Sequence, residues 1–189
     1  MAVLGSKTLS TILAAGAAMT LGHSVLRAQT PLSALTNFQQ VSDSLCRGAQ
    51  PSDEGFRELA KAGVHTVVDL RGAGGRSSHE AQLVQSLGMK YINIPLDGFQ
   101  APTAEEVSKV WAVLNDPNAG QIFVHCRRGA DRTGTVLAMY RIEHDHWSNQ
   151  QALDEAKSMK MASSERLMRK FVLGFNAGSV AATVSVAAN

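Results

Sequence analysis

The sequence predicts an α/β fold in which a central, mostly parallel sheet of four to five strands is flanked by helices. Three observations carry this expectation. Short β-branched runs alternate with helical segments, an order that produces parallel pairing with helices over the sheet. The chain has 189 residues, a length for one domain with a tail. Its 44% hydrophobic and 18% charged content is that of a globular core and not of a disordered chain.

Each element has a local reason. Residues 41–48 (VSDSLCRG) read as a short strand running into a turn at Gln50-Pro51-Ser52. Ser52 caps a helix from Asp53 to about Ala62, and Gly63 ends it. Val64–Leu70 is a β-branched run and reads as a buried strand. Residues 71–76, with three glycines, read as a flexible loop. A helix is expected over Ser78–Leu87, then a strand over Met89–Leu96 that Pro95 brings to its end. Thr103 followed by Glu106 is a capping-box pattern for a helix to about Asn115. Gln121–His125 is a short apolar strand, followed by a helix from about Thr133 to His144. Ser148 caps the next helix, and Ser163 or Ser164 starts the last.

The N-terminus reads as an address. Lys7 is the only charge before Arg27, and Thr8–Leu21 is uncharged and rich in Ala, Leu and Ile. This has the form of a secretory signal peptide over residues 1–28, with cleavage expected at Ala28-Gln29 and a second small-residue site around Gly22-His23-Ser24. The expected location is therefore secreted or periplasmic, with no membrane span after cleavage. The alternative is an uncleaved membrane anchor, although a spanning helix needs about 20 apolar residues. Cleavage removes Lys7 and Arg27 and no acid, so the formal charge of +2 falls to zero. That balance argues against nucleic-acid partners, which call for a basic stripe. Two cysteines cannot supply a disulfide framework or a four-thiolate zinc site.

The chemistry concentrates in His125-Cys126-Arg127-Arg128-Gly129-Ala130-Asp131-Arg132-Thr133-Gly134, between a strand and a helix. Such a turn aims backbone N–H groups into one concavity, a ready anion site. Gly129 and Gly134 permit the tight path. Cys126 sits at the base, where the amides, the helix dipole and Arg132 stabilise a thiolate. The Arg132 fork matches two phosphoryl oxygens. The loop is thus expected to bind a tetrahedral dianion over a nucleophile. Asp131 beside a bound phosphate would repel it, so its side chain is expected to point outward and fix the loop. Asp69, ending a strand, is expected to orient Arg71 or the loop.

Cys, five residues, Arg, then Thr resembles the signature loop of the cysteine-dependent protein tyrosine phosphatase superfamily, closest to its dual-specificity and atypical bacterial members. Leu45–Ser52, Val67–Arg71 and Tyr91–Leu96 extend the resemblance over roughly residues 40 to 160. It implies a phosphatase domain over residues 38–176 and a tail over residues 177–189. It also implies attack on phosphorus by Cys126 with a phosphocysteine intermediate, and oxygens held by Arg132 and the loop amides. Thr133 would hydrogen-bond the sulfur, and His125 would orient the loop. No cofactor and no metal are implied. The family uses an Asp on a mobile loop as general acid, and Asp97, 29 residues before Cys126, is the candidate.

Residues 125 and 127–131 (His125, Arg127, Arg128, Gly129, Ala130, Asp131) are the expected substrate-binding set. Arg127 and Arg128 point either to polyanions, such as phosphoinositides, inositol polyphosphates or pyrophosphates, or to loop anchoring with a phosphoprotein substrate. A third reading is a module that binds phosphate without turnover. Cys46 is either a buried small hydrophobe or a partner for a reversible disulfide with Cys126, which requires Cα atoms within about 7 Å.

Overall fold

A computed structural model describes Met1, Leu32 and residues 35–178. The expected signal peptide and the tail beyond Gly178 lie outside the described residues. The elements run β1 (Gln39–Ser42), β2 (Leu45–Ala49), α1 (Asp53–Lys61), β3 (Val64–Asp69), α2 (Gly75–Ser86), β4 (Lys90–Asn93), α3 (Ala104–Leu114), β5 (Gln121–Cys126), α4 (Asp131–Glu143), α5 (Asn149–Ser158) and α6 (Arg166–Gly174). The strands form one five-stranded sheet in the order β1-β2-β5-β3-β4. β2, β5, β3 and β4 are mutually parallel, and β1 alone is antiparallel, at one edge.

The expected fold class holds, with local corrections. The single strand read over residues 41–48 is instead two strands of a hairpin, because Asp43 and Ser44 turn the chain and Gln39 comes to face Arg47. The strand read over Met89–Leu96 stops at Asn93, whose side-chain amide donates to Asp69 O and Arg71 O, both at 2.9 Å. The helix expected from Ser78 begins at Gly75. The loop before it is anchored, since Arg71 bonds Asp69 and Ser77 donates to Gly72 O at 3.0 Å. The three expected caps form: Ser52, Thr103 and Ser148 accept from the third residue of α1, α3 and α5, the last two as full capping boxes. The last helix starts at Arg166 after Glu165, not at a serine.

Strand alternation divides the core in two. Leu45, Val68, Leu70, Ile122, Val124 and Cys126 face one side and pack under α4 and α5 with Val136, Leu137, Tyr140 and Leu153. Cys46, Val67 and Phe123 face the other and pack with Phe56 and Leu59 of α1 and Val84 of α2. Consecutive residues at the end of β5 therefore belong to different layers: Cys126 lies on the α4 side, and His125 stacks on Phe123 on the α1 side. Among the described residues, no helix is long and apolar enough to cross a membrane.

Candidate active site

The segment between β5 and α4 turns on Gly129, whose φ is +64°. A Cβ there would lie 2.3 Å from the carbonyl carbon and oxygen of Gly48, so only glycine fits the close approach to β2. The loop's carbonyls are turned back into the protein. Arg127 O accepts from Gln50 N at 3.3 Å. Asn37 Nδ2 donates to Arg128 O at 3.3 Å and to Gly129 O at 2.9 Å. Arg47 Nη2 donates to Gly129 O at 2.6 Å. In a trans peptide the next N–H points opposite to the carbonyl, and no peptide bond here is cis. The amides of residues 128–130 therefore face away from β2 and Asn37. α4 starts at Asp131 after Ala130, which provides no side-chain cap, unlike the cap residues of α1, α3 and α5. Its first-turn donors stay available to an anion.

Cys126 ends β5, buried, and Arg132 lies in the first turn of α4 with Nη1 donating to Leu70 O at 3.3 Å. Gly134, expected to shape the turn, lies inside α4 instead. Its missing side chain lets the helix approach α5, where a Cβ would stand 3.3 Å from Ala156 Cβ. The expected bond from Thr133 to sulfur is not formed: its Oγ1 is buried without a hydrogen-bond partner among the described residues. Asp131 does fix the loop, because its carboxylate accepts from Ala162 N at 2.9 Å and pairs with Arg128. Asp131 thus anchors the loop, and Arg128 is its ion-pair partner. Arg127 is exposed, whereas Gly129 and Ala130 are buried.

Behind the loop lies a buried polar cluster. His125, fully buried, sets Nε2 2.8 Å from Glu80 Oε1 and Nδ1 3.3 Å from Cys126 O. Glu80 Oε2 accepts from Arg71 Nη2 and from Gln50 Nε2, both at 2.5 Å. Arg71 grips Asp69 through Nε at 2.8 Å and Nη2 at 2.6 Å, and Tyr91 OH donates to the same carboxylate at 2.8 Å. Burial would raise the Asp69 carboxyl. The bonds from Arg71 and the charge of His125 outweigh it and hold Asp69 below the usual carboxylate range. Asp69, Glu80 and His125 bring ligand atoms within 4.8 Å of one another. The Arg71 guanidinium already bridges the two carboxylates, so this cluster has its cation and is unsuited to a metal ion.

Asp97 is exposed in the loop after β4, where its Oδ1 accepts from Phe99 N at 2.7 Å and Gln100 N at 2.9 Å. It thus closes its own turn in the geometry described. The disulfide alternative for Cys46 falls. Cys46 pairs with Phe123 while Cys126 pairs with Ala49, three residues further along β2. That offset is about 10 Å of strand, and the two thiols enter opposite core layers. Burial pushes the Cys46 thiol up to about 12, as for an inert core residue.

Three contributors escaped the sequence reading: Asn37, Arg47 and Glu80. Arg47 alone carried a signal, as the one charged residue in a strand that is buried throughout.

A cysteine ending a parallel strand, a left-handed glycine in the loop and an arginine in the following first turn define the cysteine-dependent protein tyrosine phosphatase superfamily. Within it, residues 30–173 match the family described as DSP-PTPase phosphatase fused to NAD+ kinase, and the chain belongs to that family. It is similar to the dual specificity protein phosphatase TpbA of Pseudomonas aeruginosa, 29% identical over 119 residues, which is 63% of this chain and 52% of that protein. This chain therefore matches about half the length of that relative. It is also similar to the inositol diphosphatase DSP2 of Oryza sativa, 24% identical over 148 residues, 76% of this chain and 72% of that one. The fold matches the core catalytic domain of the PP-IP phosphatase SIW14 from S. cerevisiae with a TM-score of 0.70 at 20% identity, over 82% of this chain and 94% of the other.

Proposed function

We propose that this protein hydrolyses phosphomonoesters, with phosphotyrosine and then phosphoserine or phosphothreonine of proteins as first substrates. One observation carries the reading: Cys126 lies buried at the base of a loop whose carbonyls at residues 127, 128 and 129 are drawn backwards, next to an uncapped helix start that carries Arg132. Such an arrangement supports a site for the equatorial oxygens of a phosphoryl group with the sulfur as nucleophile.

In the proposed mechanism the Cys126 thiolate attacks phosphorus, the S–P bond forms and the P–O bond to the leaving group breaks. Asp97, released from its turn, gives its proton to the leaving oxygen. Arg132 and the amides hold the charge of the transition state. Water then attacks the phosphocysteine, Asp97 takes back a proton, and the S–P bond breaks to return thiolate and inorganic phosphate. Thr133, whose hydroxyl is buried without a partner among the described residues, is assigned the role of donating to the departing sulfur.

A second reading, inositol polyphosphates or pyrophosphates, draws on a groove of about 320 Å³ whose lining includes Arg71, Arg76 and His79, with Asp53 and Glu80 also in its wall. The similar plant and yeast proteins named above point the same way. Against it, Arg128 is paired with Asp131 and so offers less to a polyanion.

The test is phosphate release by the full chain without added metal. A phosphotyrosine peptide, a phosphoserine peptide, a phosphoinositide and an inositol pyrophosphate are compared, with Cys126→Ser as control. Preference for the phosphotyrosine peptide supports the first reading and preference for an inositol compound the second. Turnover that survives Cys126→Ser overturns both, and binding without turnover on every substrate leaves a phosphate-binding module. We further propose export with cleavage after Ala28, which N-terminal sequencing of the mature protein tests.

A further inference from the structure

Arg47 is a buried charge that the mechanism above does not use. It has no exposed surface. Leu45, Arg47 and Ala49 share one face of β2, and Ala49 pairs with Cys126, so the guanidinium enters the layer beneath the loop on the cysteine's side of the sheet. Nη2 donates to Gly129 O at 2.6 Å, while Nε and Nη1 are buried with no hydrogen-bond partner among the described residues. Glu155 acts on it at a distance, but that carboxylate is held by Arg141 at 2.9 and 3.1 Å and by Gln39 at 3.1 Å. Burial pushes the Arg47 guanidinium down to about 10, against the opposing pull of Glu155 and Cys126. A buried cation with two orphaned donors is costly and calls for a reason. Fixing Gly129 is not enough of one, because Asn37 already donates to that carbonyl at 2.9 Å.

We propose that Arg47 is a positioning residue for the anion site, a guanidinium held beneath the loop whose charge is balanced only when an anion, the Cys126 thiolate or a bound phosphoryl group, occupies the other side. The proposal rests on the phosphatase reading and adds a second source of positive potential to Arg132. The charged groups around the loop are Arg47 from β2, His125 from β5, Arg127 and Arg128 from the loop and Asp131 and Arg132 from α4. Asp69 stands at the end of β3, Glu80 comes from α2, Glu155 from α5 and Glu165 from the turn before α6. The two carboxylates behind the loop are bonded to Arg71, Asp131 to Arg128, and Glu155 to Arg141. Arg47 has no such partner among the described residues.

The test measures alkylation of Cys126 by iodoacetamide across pH, located by peptide mass spectrometry, and binding of inorganic phosphate, on the full chain. Arg47→Met removes the charge, Arg47→Gln removes it while keeping a donor for Gly129 O, and Arg47→Lys keeps it. The neutral variants should move the midpoint of the alkylation profile up by about one pH unit and weaken phosphate binding about tenfold. Arg47→Lys should recover most of both. Neutral variants with wild-type profiles overturn the proposal, as does a lysine variant that behaves like the neutral ones. Loss of the folded circular dichroism signal in both neutral variants makes Arg47 a fold residue and overturns it too. A wild-type midpoint near the free-thiol value of about 8.5, with no phosphate bound, strikes instead at the phosphatase reading itself.

Discussion

Gly129→Ala isolates the loop's geometry with one methyl group. At φ +64° an alanine pays about 1–2 kcal/mol for the left-handed conformation. Its Cβ would also stand 2.3 Å from Gly48 C and O and 2.5 Å from Ala49 N, all backbone atoms of a strand buried throughout. No flexible side chain can yield, so overpacking adds about 1–3 kcal/mol. The sum is about 2–5 kcal/mol, and at about 2–4 °C per kcal/mol for a chain of this size the melting temperature should fall by about 4–20 °C. Where the variant folds, the carbonyl of residue 129 leaves Arg47 and Asn37 and the amides lose their aim. A displacement near 1 Å costs about a hundredfold in rate. The assays are thermal unfolding and phosphate release, with Gly134→Ala as control. There the Cβ would meet Met161 Cε at 3.2 Å and Ala156 Cβ at 3.3 Å, with the nearer backbone atom, Ala156 Cα, at 3.8 Å, and helix propensity gains about 1 kcal/mol. Gly134→Ala should stay within about 1 kcal/mol of the parent. A Gly129→Ala protein with parental melting temperature and rate would refute the reasoning.

Three further outcomes follow from the same geometry. Glu80→Gln leaves His125 and Arg71 short of their shared carboxylate. It should lower stability by about 1–3 kcal/mol and reduce turnover, read by thermal unfolding and kcat; an unchanged kcat would detach the cluster from the loop. Asp69 is held below its ordinary range, so its stabilisation is complete above about pH 4 and is lost as pH falls through its depressed value. Asp69→Asn should therefore flatten the acid limb of the stability profile, and a limb of unchanged steepness would count against the assignment. Asp97→Asn should lower kcat by about a hundredfold or more on a phosphotyrosine peptide and much less on a p-nitrophenyl ester, whose leaving group needs no proton; equal losses on both would remove Asp97 as the acid.

What the sequence made legible was local. Ser52, Thr103 and Ser148 announce their helices because a cap bonds a residue three positions on. Asp69 and Arg71 meet across two residues. The Cys126 loop is readable because its residue types fall at a fixed short spacing in one contiguous stretch. The hairpin at Asp43-Ser44 was missed because it lacks the glycine that marks most tight turns. Asn37, Arg47 and Glu80 reach the loop from 92, 82 and 45 residues away, and no spacing rule spans such distances. Gly134 was misread because a glycine for close helix packing and one for a turn look alike in sequence.

In the proposed mechanism Cys126 carries the phosphoryl group between substrate and water. Rapid acid quenching of the full chain during turnover, followed by intact-mass and peptide mass spectrometry, tests this most directly. One phosphoryl group on the peptide that holds Cys126, absent in Cys126→Ser and transient in the parent, is the predicted result. Steady turnover with the phosphoryl group on another residue, or on none, would contradict it.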